Sequence, residues 1–377
     1  MKKLKVITIF GTRPETIKLA PVIKELEKHP KQIISKVIAT AQHRDMMDAF
    51  VRVFGLKADY DLDVMTHNQT LFDITMRTLN RIEDIFLKEK PDLILVQGDT
   101  TTAFVASLAA YYLKISVGHV EAGLRTKNKY SPFPEEMNRR LISPIADFNF
   151  APTRQAKENL LKEGINPRNI FITGNTVIDA LFLTLGKPYE CSHKVLKKID
   201  YKNKKVILVT VHRRESFGKP IEQIFKAVKE IANKFDVEII YPVHLNPNVQ
   251  KAASEILAGI KNIHLIEPLE YVPFVNLMSN AYLVLTDSGG VQEEAPSLGK
   301  PVIVLRDVTE RMEGVKAGTA VLIGTDREKI IKTTSRLLTS NAAYQKMAKA
   351  QNPYGDGKAA ERIVKSILNF KNSLFGE

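Results

Sequence analysis

Short apolar runs rich in β-branched residues alternate along the chain with longer segments in which apolar residues recur at helical spacing. The longer segments predict helices at Glu15–Lys28, Thr101–Leu113, Pro220–Phe235 and Asp326–Leu338. The short runs predict strands at Lys5–Phe10, Lys36–Thr40, Asp92–Gln97, Ile115–Val120, Val206–Val211, Glu238–Pro242, Tyr282–Thr286 and Val302–Leu305. Most of these runs are nearly continuous, which is typical of a parallel sheet covered by helices on both faces.

The alternation occurs twice along the chain. The first series ends near Gly174 and the second begins at Lys204, so the boundary falls in Thr173–Asn203. A chain of 377 residues is also longer than one ordinary core usually requires. We therefore expect an α/β protein of two Rossmann-like, doubly wound domains facing each other across a cleft, in residues 1–174 and 175–356.

The C-terminal segment forms a separate feature. Asn352–Gly357 reads NPYGDG, a strong breaker sequence, and an amphipathic segment follows it at Lys358–Leu374. We expect residues 357–377 to form a helix that crosses back to the first domain.

Composition narrows the class of protein. The chain is 44% apolar and 26% charged, which is typical of a globular enzyme. Its one cysteine, Cys191, cannot form an intrachain disulfide, and no apolar run reaches the roughly 20 residues that span a bilayer. We expect a cytoplasmic protein that does not associate with membranes.

The net charge of +13 admits a nucleic-acid partner, but the lysines and arginines are scattered. The densest stretch, Lys194–Lys205, has no accompanying aromatic stripe of RNA-binding type. We therefore expect no nucleic-acid partner, and a nucleotide-responsive RNA-binding protein remains the alternative from another functional class.

Unusual polar clusters follow five of the predicted strands. They are Gly11–Glu15, Gly98–Thr100, Glu121–Arg125, His212–Glu215 and Asp287–Gly290. Ligands of open α/β sheets bind outside the carboxyl ends of the strands. The clusters thus predict a ligand site there, and their chemistry favours a ligand that carries phosphate.

Ser288, Gly289 and Gly290 precede a predicted helix at Val291–Leu298, where backbone N–H groups and the helix dipole favour anions. An N-cap followed by a tight turn is the alternative. Within the helix, Glu294 is placed to bind ribose hydroxyls, and Glu293 is expected to face solvent.

Two cations and a histidine are candidates for binding the anionic part of the ligand. Arg13 and Lys18 flank the start of the first long helix, where either could neutralise a pyrophosphate. His212 could bind a leaving group and transfer a proton near neutral pH, or make only a structural hydrogen bond. The adjoining Arg213–Glu215 could instead form an ion-pair network.

Asp99, Glu121 and Glu135 are candidate acids and bases. Asp99 could simply cap the helix Thr101–Leu113, and Glu135 could simply complement a helix dipole. Glu121 gains nothing for packing by following a buried strand directly. Together the three would suit acid and base catalysis on an uncharged carbon substrate.

The sequence lacks the motifs of several cofactor-dependent classes. It contains no G-x-x-x-x-G-K-[ST], no G-x-G-x-x-G and no H-E-x-x-H. Phosphoryl transfer by a P-loop, a nicotinamide cofactor and a metal site therefore have no support, and we expect no cofactor.

The chain resembles the non-hydrolysing UDP-N-acetylglucosamine (UDP-GlcNAc) 2-epimerases from end to end. The motifs are GTRPETIKLAP at Gly11–Pro21, TAQHRDM at Thr40–Met46, QGDTTT at Gln97–Thr102, GHVEAGLRT at Gly118–Thr126, YSPFPEEMNR at Tyr130–Arg139, HRRESFG at His212–Gly218, DSGGVQEEAPSLGKPV at Asp287–Val302 and NPYGDG at Asn352–Gly357. The resemblance implies the two-domain GT-B architecture and a homodimer that serves polysaccharide biosynthesis.

The resemblance also implies roles for individual residues. The catalytic residues are then Asp99, Glu121, Glu135 and His212. UDP is then held by Arg13, Lys18, Ser288, Gly289, Gly290, Glu294 and Arg311, with uracil beside Leu269 and Phe274. A hydrolysing 2-epimerase and a GT-B glycosyltransferase are the alternatives within the same fold.

The implied reaction converts UDP-GlcNAc into UDP-N-acetylmannosamine (UDP-ManNAc) by eliminating UDP and adding it back. Members of the family also bind substrate at a second, activating site. Gln42, Glu135, Arg213 and His244 match positions of that site, whereas Asp45 and Asn68 stand where Gln and Arg are expected.

Overall fold

The computed structural model of the chain describes residues 2–40, 53–64 and 69–375. The chain divides into two compact units. Unit 1 comprises Met1–Leu183 and Tyr354–Glu377, and unit 2 comprises Thr184–Pro353. Within the described residues, no helix is long and apolar enough to cross a membrane.

Unit 1 is built on one parallel sheet. Its described strands are β1 (Leu4–Phe10), β2 (Ile33–Ala39), β3 (Tyr60–Asp61), β4 (Leu93–Gln97), β5 (Ser116–Val120), β6 (Phe148–Ala151) and β7 (Ile170–Ile172), in the order β3-β2-β1-β4-β5-β6-β7. Its helices with described bounds are Arg13–Glu27, Leu71–Glu89, Thr101–Tyr112, Glu135–Ile145, Arg154–Lys162, Thr176–Leu185, whose last two residues belong to unit 2, and Ala359–Phe375, with a 3₁₀ turn at Pro167–Asn169.

Unit 2 is built on a second parallel sheet. Its strands are β8 (Lys205–Thr210), β9 (Val237–Pro242), β10 (Ile263–Ile266), β11 (Leu283–Thr286), β12 (Val302–Val304) and β13 (Ala320–Leu322), in the order β10-β9-β8-β11-β12-β13. Its helices are Lys219–Lys234, Pro247–Leu257, Tyr271–Asn280, Gly289–Glu294, Met312–Ala317, Arg327–Thr339 and Asn341–Ala348, with 3₁₀ turns at Leu196–Lys198, Arg214–Ser216 and Ala295–Leu298.

The predicted α/β class, with two doubly wound units, is confirmed. The strands are buried runs because helices cover them, as Ile7 and Ile9 of β1 and Val209 of β8 illustrate. In unit 1 these side chains pack with Ile82 and Phe86 of the helix Leu71–Glu89. Each sheet therefore carries its own core.

The C-terminal helix Ala359–Phe375 belongs to unit 1 and packs against the helix Arg13–Glu27. Its first N–H groups, from Ala359 and Ala360, donate to the Asp179 carboxylate at 3.2 and 2.8 Å. Burial raises the pKa of Asp179 to about 6. Asp179 lies beyond the expected boundary at residue 174, and its segment remains with unit 1 because it caps this helix.

Each sheet has one point where the direction of strand addition reverses. In unit 1 it lies between β1 and β4, and in unit 2 between β8 and β11. The chain leaves β1 through Gly11–Glu15 and β4 through Gly98–Thr100. It leaves β8 through His212–Glu215 and β11 through Asp287–Gly290. Four of the five predicted clusters thus follow the strands that flank a switch point, where open α/β sheets bind ligands.

Candidate active site

Glu121 is held by three side chains of unit 1. It directly follows β5 in a left-handed backbone conformation, with φ of 67°, and its side chain is 5% exposed. Lys18 Nζ donates to both carboxylate oxygens at 2.6 Å. Gln97 Nε2 donates to Oε2, and Asn175 Nδ2 donates to Oε1 at 2.9 Å. A left-handed non-glycine residue costs free energy, and these side-chain contacts accompany that conformation at Glu121.

Burial and several neighbouring charges act on the carboxyl group of Asp99. Burial raises its pKa, the Arg139 guanidinium acts in the opposite direction, and the charges of Glu121 and Glu135 raise it further. Arg139 Nη2 donates directly to Asp99 Oδ2. The charges of Glu121 and Glu135 therefore both act on Asp99 within unit 1.

Glu135 begins the helix Glu135–Ile145 and is half-buried. The adjacent Glu136 is fully buried and accepts from the backbone N–H of Thr126 at 3.0 Å. Of the two neighbouring acids, Glu136 therefore supports the preceding loop and Glu135 is the one that a ligand can reach.

Glu15 joins the two loops at the unit 1 switch point. It is buried, and its Oε2 accepts from Gly11 N, Thr12 N and Thr12 Oγ1 at 3.0, 2.8 and 2.7 Å. Its Oε1 accepts from Thr100 Oγ1 at 2.7 Å. Burial raises the pKa of Glu15 despite these donors. We did not predict this role, although the T-x-x-E spacing of a capping box was visible in the sequence.

Thr100, rather than Asp99, caps the helix Thr101–Tyr112. Its hydroxyl accepts from Ala103 N at 3.0 Å. The capping alternative for Asp99 is therefore wrong, and its carboxylate is left for Arg139.

His119 supports the turn that carries Asp99. The side chain is fully buried in β5, and its Nε2 lies 2.6 Å from the carbonyl oxygen of Gly98. Burial lowers the pKa of His119 to about 4, so the ring is neutral near pH 7 and Nε2 carries the donated proton. Sequence reasoning missed this residue because a strand histidine gives no sign of its partner.

The two cations predicted to bind pyrophosphate have different surroundings. Lys18 is bound to Glu121. Arg13, at the first position of the helix Arg13–Glu27, is exposed. Lys18 thus acts on a carboxylate in this structure, and Arg13 has the more accessible charge.

In unit 2, Asp287 fixes the loop that contains His212. The carboxylate is fully buried, and its Oδ2 accepts from the backbone N–H groups of His212 and Arg213, both at 2.8 Å. His212 Nδ1 lies 3.1 Å from Asp287 Oδ1, and the imidazole is 39% exposed. This histidine is therefore oriented on one side and open on the other.

His244 stacks on His212, with ring centroids 5.5 Å apart. Burial and the neighbouring imidazole lower the pKa of His244. Its Nδ1 accepts from Asn246 N at 3.1 Å. The two histidines thus form one stacked pair.

The Ser288–Gly290 turn opens the short helix Gly289–Glu294. Ser288 occupies the N-cap position, but its side chain makes no capping hydrogen bond. A Cβ atom on Gly289 would lie 3.3 Å from Arg311 Cζ. Glycine therefore lets the Arg311 guanidinium lie directly against the backbone of this turn.

Glu293 is not solvent-facing, and that prediction was wrong. Its side chain is 4% exposed and its Oε1 accepts from Arg311 Nε at 2.9 Å. The ion pair retains Glu293 inside the unit and orients the guanidinium. Sequence spacing alone assigned the two adjacent glutamates to opposite faces without knowing that a cation lies next to one of them.

The remaining residues predicted to contact UDP, Glu294, Leu269 and Phe274, are also in unit 2. Glu294 is buried, and its Oε1 accepts from the Tyr271 hydroxyl at 2.9 Å. Burial raises the pKa of Tyr271 well above its usual value. Leu269 and Phe274, on either side of Tyr271, are half-buried.

Arg311 belongs to a network of ion pairs. The network also includes Arg213 and Glu215, so the alternative that Arg213–Glu215 forms ion pairs is correct in part. Glu310 contacts Arg306, Arg311 and Arg213 at 2.8, 3.1 and 3.7 Å. Burial works to raise the pKa of Glu310, but Arg311 and Arg306 lower it to about 2. Glu215 also pairs with Arg306, at 2.7 Å.

The residues that match the activating site divide between the units. Arg213 and His244 lie in unit 2 beside His212, and Glu135 lies in unit 1. Gln42, together with Asp45 and Asn68, lies outside the described residues.

Comparisons with known proteins agree on one family. The family model for UDP-N-acetylglucosamine 2-epimerase matches residues 24–368. The UDP-N-acetylglucosamine 2-epimerase of Bacillus subtilis is 56% identical over 369 residues, covering 98% of this chain and 96% of the relative.

Two solved structures extend the match to three dimensions. The UDP-GlcNAc 2-epimerase of Neisseria meningitidis, bound to UDP-GlcNAc, is 51% identical, with a TM-score of 0.85 and coverage of 97% of this chain and 100% of that one. The enzyme of Methanocaldococcus jannaschii, in complex with UDP-GlcNAc and UDP, is 40% identical, with a TM-score of 0.75 and the same coverage. From its sequence motifs, its two parallel sheets and these matches, the chain belongs to the UDP-N-acetylglucosamine 2-epimerase family.

Proposed function

We propose that this protein interconverts UDP-GlcNAc and UDP-ManNAc by reversible epimerisation at C2, without net hydrolysis. The observation that carries the proposal is the setting of two carboxylates after neighbouring strands, Asp99 bound by Arg139 after β4 and Glu121 bound by Lys18 and Gln97 after β5, with the charge of Glu135 also acting on Asp99. Lys18 and Arg139 bind two of these acids directly. Proton transfer at carbon requires acids and bases positioned in this way.

The chemistry explains why several carboxylates are useful. C2 of the sugar is not adjacent to a carbonyl, so its proton is too weakly acidic to be removed directly. The C1–O bond breaks before or with loss of the C2 proton, UDP leaves with the bonding electrons, and 2-acetamidoglucal remains. A proton then adds to C2 from the opposite face, and the UDP oxygen bonds to C1 again. Proton transfers on two faces are best served by more than one carboxylate.

UDP has to remain bound while it is detached from the sugar. We assign its retention to Arg13, Lys18, Arg311, the Ser288–Gly290 turn and Glu294, with uracil beside Leu269 and Phe274. Arg311 supports this assignment best, because its guanidinium lies against Gly289. Cationic groups fixed before the reaction stabilise a departing diphosphate without reorganisation. His212, oriented by Asp287, is the unit 2 residue that we assign to catalysis.

Incubation with UDP-GlcNAc in D₂O tests the proposal. We expect deuterium at C2 of both epimers and retention of UDP on the sugar, which NMR of C2 follows directly. Free N-acetylmannosamine and UDP as main products would identify a hydrolysing epimerase instead. No exchange without an added acceptor would favour a glycosyltransferase and contradict the proposal.

We also propose that substrate activates the enzyme at a second site that includes Gln42, Glu135, Arg213 and His244. The stacking of His244 on His212 supports it, since a ligand beside one ring would act on the other. With UDP-ManNAc as the sole substrate, we expect a lag that trace UDP-GlcNAc abolishes. A linear initial rate that UDP-GlcNAc does not change would refute activation.

A homodimer is part of the same proposal. The helices Leu71–Glu89 and Thr101–Tyr112 of unit 1 pack against each other. Each leaves a large apolar side chain exposed, Phe72 at 80% and Tyr112 at 64%. Such side chains are typical of an interface between protein chains. Light scattering should give twice the mass of one chain, and Phe72→Glu should reduce it. A monomeric wild-type protein would contradict this proposal.

A further inference from the structure

Asn175 contacts Glu121 although neither composition nor motif singles it out. The residue is buried, and its Nδ2 donates to Glu121 Oε1 at 2.9 Å. Its Oδ1 accepts from Val177 N at 3.2 Å, so the amide has only one orientation that satisfies both contacts. The side chain thus caps the helix Thr176–Leu185 and directs its donor at the carboxylate.

The C-terminal NPYGDG segment fixes the backbone of Asn175. Asn175 N donates to the carbonyl oxygen of Tyr354 at 2.6 Å, and Tyr354 is buried. A Cβ atom on Gly174 would lie 3.3 Å from Gly355 Cα, and one on Gly355 would lie 3.4 Å from Asn175 N. Both glycines have positive φ, 89° and 143°. Only glycines allow these two backbone segments to lie so close together.

We propose that Asn175 is a positioning residue for Glu121, and that the Tyr354–Gly355 turn holds Asn175 in place for this task. The inference rests on the proposed function, and it further takes Glu121 as one of the carboxylates that transfer a proton at C2. A carboxylate that transfers a proton to carbon needs one fixed orientation. Asn175 occupies one lone pair of Oε1 and thereby limits rotation of the carboxylate.

Other groups also act on Glu121. Lys18 approaches it from the helix Arg13–Glu27, and Gln97 from β4. The charge of Glu121 also raises the pKa of Asp99 and opposes the lowering of the His119 pKa by burial. Asn175 has a neutral side chain, so it can be changed without removing a charge. Its side chain is also fixed by the cap of the helix Thr176–Leu185.

The decisive variant is Asn175→Asp. It conserves shape and the helix cap, but it replaces the donor at Oε1 with a second carboxylate. Like charges disfavour ionisation, so the acid limb of the kcat profile should move up by about one pH unit. At pH 7 we expect kcat to fall about 10-fold or more while KM changes less than about 3-fold, since the loss lies in the chemical step.

Asn175→Ser is the second variant, because serine also caps helices but does not reach Oε1. It should shift the profile in the same direction by a smaller amount, and it carries the test if Asn175→Asp does not fold. Asn166→Asp is the matched control. Asn166 caps the turn Pro167–Asn169 through the same side-chain atom, and it is exposed. It should leave kcat, KM and the pH profile unchanged.

Titration of Glu121 by ¹³C NMR, in protein labelled at glutamate δ-carbons, gives a readout that does not need turnover. Glu121→Gln assigns the signal, and Asn175→Asp should raise its midpoint. An unchanged midpoint and pH profile in both Asn175 variants would overturn the inference, and so would parallel losses of kcat and thermal stability without a pH shift. Failure of the proposed function gives a different result, absence of C2 exchange in the wild-type protein.

Discussion

The imidazole of His212 faces the buried carboxylate of Asp287, with Nδ1 3.1 Å from Oδ1. The other oxygen of the same carboxylate accepts from the backbone N–H groups of His212 and Arg213. One side chain at the end of β11 therefore fixes both the ring and the loop that follows β8. Asp287 takes no part in the proposed proton transfers, yet it determines where His212 points.

Asp287→Asn should lower kcat by about 10- to 100-fold with a smaller change in KM, the range typical of losing a group that orients another. The amide retains only one acceptor oxygen for contacts that now use two. Steady-state rates across pH values check this expectation. Asp236→Asn, at an exposed acid of the same unit, is the control and should match the wild-type protein. Equal kcat values for both variants would contradict an orienting role.

Removing the proposed proton-transfer group should separate chemistry from binding. Glu121→Gln should lower the rate of C2 deuterium exchange by about 1000-fold or more, because an amide cannot accept the proton. UDP affinity, measured by calorimetry, should change less than about 3-fold because the proposed UDP contacts lie mainly in unit 2. Exchange at the wild-type rate would exclude Glu121 from proton transfer.

The strands of the two sheets could be predicted largely from the sequence. All eight predicted strands are present, because continuous apolar runs mark strands that are buried on both faces. The strands that we missed have two to four residues, and β6 contains the buried polar Asn149. Such strands are defined by their neighbours in the sheet, which a local pattern does not contain.

The site residues could be predicted only where position relative to a strand was informative. Glu121 was recognisable because a charged residue directly after a buried strand has no packing role. Asn175 and Gln97 were not, because their function lies in contacts to Glu121 from residues 54 and 24 positions away. The prediction that Glu293 faces solvent was wrong for the same reason, since its partner Arg311 is distant in sequence.

Glu89 provides a test of stability that is independent of the active site. Hydrogen bonds from Lys36 and Tyr60 lower the pKa of Glu89 from 4.5 to about 2. A lowered folded-state pKa stabilises the protein fully above about pH 4.5, and this contribution is lost as the pH falls toward 2.

Glu89→Gln should therefore lower the free energy of unfolding at pH 7 by on the order of 1–2 kcal/mol, after allowance for solvent screening. The difference from the wild-type protein should shrink as the pH falls from 4.5 to 3. The midpoints of urea unfolding of both proteins at several pH values measure this difference in stability. Glu83→Gln, on the exposed face of the same helix, should change the midpoint little at any pH. A difference that does not depend on pH would contradict the ion-pair explanation.

Gly289 and Arg311 should act as one unit in binding UDP. A methyl group at residue 289 would lie 3.3 Å from Arg311 Cζ and 3.4 Å from Nε, so the guanidinium would have to move. Gly289→Ala should therefore weaken UDP binding by about 10-fold, and Arg311→Ala by about 10- to 100-fold, the loss expected for a charge-assisted contact.

A double-mutant cycle separates this explanation from a direct effect of the methyl group on the ligand. If Gly289→Ala acts by displacing Arg311, it should have little further effect once residue 311 is alanine. Calorimetric titration of UDP into the four proteins gives the coupling, and thermal midpoints check that each remains folded. Additive losses would mean that the methyl group obstructs UDP itself, in which case the Ser288–Gly290 backbone, and not Arg311, is what Gly289 preserves.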